Sequence, residues 1–204
     1  MISYSDLLEY ISTIEKAPVQ NSDIISWFSQ HGFQDEINIY PVDVSYEKAS
    51  AWIVRRKELH IPYVEAKKIS NIYVSEHHNE CWQRFFICKE LMHFFDYEND
   101  CAADDRQKVN TLIKELVDWN ALDIEAKQET TKADIMAKTR ALMCLAPAHM
   151  IDELKENNVL EKRTLDEIAL FLKIPKIFIE KVFSEDYLIA HTSAKVDMDL
   201  SIVK

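Results

Sequence analysis

The chain has 204 residues, 48% of them hydrophobic and 29% charged, a globular mixture with length for one sizeable core and an appendage. Its single glycine, Gly32, excludes glycine-rich phosphate loops and dinucleotide fingerprints, and a formal charge of −11 argues against a primary nucleic-acid binder, which needs a concentrated basic surface. Four cysteines without a CxxC pair, no apolar run near the ~18 residues of a membrane span, and no basic leader predict reduced thiols, a cytoplasmic setting and no membrane partner.

In chain order, Leu7, Leu8, Ile11 and Ile14 have helical spacing over residues 5 to 16, and Asn21 or Ser22 is expected to cap a second helix ending at Gly32. Alternation from Glu36 to Val42 and the β-branched run Ile69 to Val74 predict two short strands of a small sheet. Tyr46 to Tyr63 stays open, because Ala-Trp-Ile-Val-Arg-Arg fits helix or strand. Asn79 caps a long helix that includes Trp82 to Phe95, Asp104 or Asp105 starts one to Trp119, and Thr130 or Thr131 one to Leu145. Pro147 suits the first turn of a helix to about Asn157, and Thr164 with Glu167 forms a capping box for residues 165 to 172. Pro175 restarts a helix to about Phe183, and the alternation of Val196, Met198, Leu200 and Ile202 suits a late strand.

On a helical wheel Trp82, Phe85, Phe86, Lys89 and His93 share one face, with Glu90 at its margin. A lysine amid aromatic rings is costly unless a carboxylate meets it. From this helix alone, a lysine snorkelling outward beside a core histidine competes evenly with a functional reading.

The run Arg84-Phe85-Phe86-Ile87-Cys88-Lys89-Glu90-Leu91-Met92-His93 resembles the Arg-Phe-Thr-Leu-Ala-His-Glu-Leu-Gly-His stretch of the ImmA/IrrE family of metallopeptidases, without a gap. In HExxH two histidines at i and i+4 hold one zinc and the glutamate activates its water. Here Glu90 occupies the catalytic position and His93 a metal-ligand position, but Lys89 replaces the first histidine, and a protonated lysine cannot ligate zinc. Asp134-Ile-Met-Ala137-Lys138-Thr-Arg-Ala141-Leu-Met-Cys-Leu-Ala-Pro147 is similar to the family's later Glu-x-x-Ala-Asn-x-Phe-Ala helix, with Asp134 at the third-ligand position and Lys138 where Asn or Asp is usual. The resemblance spans about residues 69 to 183. It implies an α+β, mostly helical fold: a zincin-like peptidase core with a small sheet over residues 1–160, and a helix-turn-helix-like appendage with a tail over 161–204.

Counting charge, Lys89 and Lys138 could replace the ion, giving a salt-bridged cluster with Glu90 and Asp134 and with His93 hydrogen-bonded nearby. No cofactor is expected on that reading. The alternative is zinc held by Glu90, His93 and Asp134 with a further donor such as His77, His78 or His149; Glu-x-x-His also serves carboxylate-bridged metal sites. The resemblance implies a regulator acting on a helix-turn-helix transcriptional repressor, in mobile elements or prophage and in stress responses. It would be a non-hydrolytic pseudoenzyme or, alternatively, an active metallo-endopeptidase. A third class is DNA binding through Thr164 to Phe183, where Lys173, Lys176 and Lys181 are offset by Asp166, Glu167 and Glu180. Cys88 beside Lys89 reads as packing rather than as a nucleophile.

Overall fold

The structure is a computed structural model that describes residues 2–33, 35–45, 47, 49–57, 68–96 and 129–196. It is α+β. Helix α1 (Tyr4–Ser12) starts at Ser3, whose hydroxyl accepts from the Asp6 N–H, and buries Leu7, Leu8 and Ile11. Helix α2 (Asn21–Gln30) is flanked by Gln20 rather than by Asn21 or Ser22; the Gln20 N–H donates to Asp23 Oδ2 at 2.8 Å. Gly32 follows it at φ 82°, the left-handed conformation that a glycine adopts at little steric cost.

Strands β1 (Asp35–Val42), β2 (Ala51–Lys57) and β3 (Lys68–Ser75) form one sheet in the order β1-β3-β2. β1 runs parallel to β3, with Ile39 opposite Ile72, and β2 runs antiparallel, with Ile53 opposite Ile72. The open segment is therefore a strand over Ala51–Lys57, decided by pairing with β3 rather than by its own composition. Ile72 and Val74 on the inner face are buried.

Helix α3 (Glu80–Met92) begins where Asn79 Oδ1 accepts from the Trp82 N–H at 3.1 Å, as the cap predicted. It ends earlier than expected: His93–Phe95 is a 3₁₀ turn. The aromatic cluster accounts for the tightening, since Phe94 and Phe95 each pack with ring centroids 5.3 Å from Phe28. The fully buried side of α3 is not the face the helical wheel indicated: Phe85, Cys88, Leu91 and Met92 pack inward, whereas Trp82, Phe86, Lys89 and His93 are half-buried, and the sheet, α2 and α4 (Glu129–Leu145) pack around the helix. Ala137 and Ala141 of α4 have no exposed surface, and Cys88 Sγ lies 3.8 Å from the Ala141 carbonyl, the close approach that small residues permit.

The chain continues through α5 (Ala148–Glu156), preceded by Pro147 at the N-cap, α6 (Val159–Lys162) and α7 (Leu165–Leu172). The Thr164–Glu167 capping box is present, with Thr164 N–H donating to Glu167 Oε2 at 2.8 Å. A turn through Lys173, Ile174 and Pro175 leads to a 3₁₀ turn (Lys176–Phe178), α8 (Ile179–Val182) and α9 (Glu185–Val196). Expectation stopped the helical chain near Phe183 and placed Val196 in a strand. Instead Tyr187 on α9 donates to the carbonyls of Leu142 at 3.0 Å and Ala146 at 2.8 Å, an anchor invisible to periodicity. Ile168, Leu172, Ile174, Ile179 and Val182 belong to the same buried cluster as Leu7, Phe85 and Leu145. The predicted helix from Asp104 or Asp105 to Trp119 and the strand positions Met198 to Ile202 lie outside the described residues. Among the described residues no helix is long and apolar enough to cross a membrane.

Candidate functional site

Where α3 meets α4, four charged side chains converge. Lys89 Nζ lies 2.7 Å from Glu90 Oε1 and 2.6 Å from Asp134 Oδ1, while Lys138 Nζ lies 2.7 Å from Asp134 Oδ2. Helix geometry brings Lys138 one turn beyond Asp134, at i+4, and places Lys89 and Glu90 as neighbours at the α3 surface that α4 covers. The Glu90 and Asp134 side chains are only 3% and 4% exposed and both lysines 12%, so all four charges stand largely out of water. Two positive and two negative groups balance. The contacts at Glu90 Oε1 and Asp134 Oδ2 have ion-pair distances without the alignment of directional hydrogen bonds, so charge balance outweighs bond geometry here.

The titration behaviour follows from this packing. Burial by itself would lower the Lys89 pKa, but Glu90 and Asp134 outweigh it and hold the ammonium above the ordinary lysine range. Burial would raise the Asp134 carboxyl, yet Lys89 and Lys138 together push it well below its usual value. Lys138 goes the other way: burial dominates and lowers it, with Asp134 opposing.

His93 joins differently from the expectation. Its Nδ1 pairs with Asp96 Oδ2 at 2.7 Å, and Asp96 Oδ1 accepts from Arg140 Nη1 at 2.8 Å. Its Nε2 faces the cluster 3.9 Å from Asp134 Oδ1, beyond a direct hydrogen bond. Asp96 and Arg140 escaped the sequence reading. His-x-x-Asp at i, i+3 was a weak local signal for the first, and nothing local marked the second.

The other candidate histidines are engaged elsewhere. His77 Nε2 lies 2.8 Å from Asp43 Oδ1, His149 Nε2 2.9 Å from the Ile14 carbonyl, and the His78 ring packs tilted against Phe86 with centroids 4.9 Å apart. Among the described residues no group of three or more His, Cys, Asp and Glu side chains is arranged to hold a metal ion. The donor set as placed does not fit a divalent cation, because the Lys89 ammonium lies on the Glu90 and Asp134 oxygens that such an ion would need. Cys88 is fully buried, with its thiol against α4.

Arg84, the first residue of the motif run, is also buried. Its guanidinium donates to the Val19 carbonyl and to those of Leu172, at 2.9 Å, and Lys173. The latter two close the C-terminus of α7, where Lys173 adopts φ 52°. One side chain therefore ties α3 to the segment before α2 and to the C-terminal helices.

Beside the cluster a cleft of about 550 Å³ is lined by Trp82, Phe85, Phe86 and Phe178, by Ile177, and by Lys138, Glu180 and Lys181. Trp82 stacks on Phe86 at 5.3 Å, and Phe85 meets Phe178 at 4.7 Å. Lys138 belongs to cleft and cluster alike.

Compared with known proteins, the chain matches no family model, no curated protein and no solved structure.

Proposed function

We propose that this chain is an ImmA/IrrE-like, metallopeptidase-derived regulator that binds a protein partner, a helix-turn-helix repressor in the first instance, without hydrolysing it. The observation that carries the reading is the Lys89 ammonium, 2.6 Å from Asp134 and 2.7 Å from Glu90, at the motif position where the family has a zinc-binding imidazole. A cation fixed to the side chain neutralises the carboxylates that an ion would otherwise hold. It also removes the Lewis acid, since an ammonium cannot activate water as a bound zinc does. What remains is a preorganised, charge-balanced and largely buried cluster beside an apolar cleft, and the cleft is the part suited to recognition. Pairing of Lys173 with Glu80 and of Lys176 with Asp166 supports a protein rather than a nucleic-acid partner, because these lysines are already neutralised.

The test is elemental analysis of protein purified without chelator and without nickel affinity. Zinc far below one equivalent is the expected result, and stoichiometric zinc would overturn the reading. Glu90→Gln separates the classes further: partner capture should persist, whereas a hydrolytic function would be lost.

A second reading, an active metallo-endopeptidase, is favoured by one observation. Asp96 holds His93 Nδ1 at 2.7 Å, as carboxylates hold the outer nitrogen of metal-bound imidazoles. It requires Lys89 to leave both carboxylates.

A further inference from the structure

We draw no further inference here: the strongest candidate, the apolar cleft that Trp82, Phe85, Phe86, Ile177 and Phe178 line between α3 and the 3₁₀ turn after Pro175, carries none, because Lys138 at its margin is already paired with Asp134 and nothing in the structure shows what covers it.

Discussion

Lys89 Nζ lies 2.6 Å from Asp134 Oδ1, so two helices separated by a long stretch of chain are joined across their interface by a largely buried ion pair. Such a pair adds little over an apolar contact of equal volume, but half of it is a liability, since the charge left behind has neither water nor partner.

Lys89→Met is therefore expected to destabilise the fold by about 3–5 kcal/mol, the usual consequence of breaking a buried pair. Adding Glu90→Gln and Asp134→Asn should recover most of the loss. Equilibrium urea unfolding of both variants measures this; a triple variant no more stable than Lys89→Met would show that the cluster's charge balance is not what matters.

Stability should fall at both ends of the pH scale for separate reasons. Asp134 has a folded pKa below its unfolded value of about 3.9, so its contribution is complete above that value and is lost as pH falls toward the folded pKa. Lys89 is raised, so its contribution is complete below the unfolded pKa of about 10.4 and is lost as pH rises through the folded one. Lys138, lowered by burial, has the opposite sign to Lys89: the cost of its burial is relieved as pH rises toward the unfolded lysine value. Unfolding midpoints of wild type and Asp134→Asn between pH 2 and 5 should differ in slope, the variant being flatter.

Lys89→His should create a zinc site from the introduced imidazole, His93 and Asp134 Oδ1, because it removes the Lys89 ammonium from that oxygen, leaving Lys138 on Oδ2, and sets two imidazoles at i and i+4 on one helix. Asp96 already holds the His93 ring with Nε2 toward Asp134. Calorimetric titration with Zn²⁺ should give about one equivalent bound in the variant. A variant as indifferent to zinc as the wild type would count against the proposed ancestry of the site.

Arg84→Met should cost roughly 3 kcal/mol or more, since hydrogen bonds from a charged donor contribute about 1.5–3 kcal/mol each and three carbonyls would lose theirs. Arg84→Lys should recover only part, as an ammonium lacks the planar fork. Hydrogen exchange should report the loss first around Leu172 and Val19.

Much of the fold was legible locally. Asn79 and Thr164 with Glu167 announce their helices because a cap uses only neighbours in sequence, and β1 and β3 are visible as β-branched or alternating runs. Composition also determined the exclusions: one glycine leaves no phosphate loop, and the motif run put Lys89, Glu90 and His93 on adjoining positions of one helix. Tertiary structure decided the rest. Ala51–Lys57 is a strand because β3 offers a partner edge, a further helix, α9, packs after Phe183 because Tyr187 reaches the Leu142 carbonyl of α4, and α3 ends at Met92 because Phe94 and Phe95 are drawn into the Phe28 cluster. Periodicity indicates which way a side chain points, not what it meets. The pairing of Lys89 with Asp134, the support of His93 by Asp96 and Arg140, and the reach of Arg84 to Leu172 all depend on distances across the packed core.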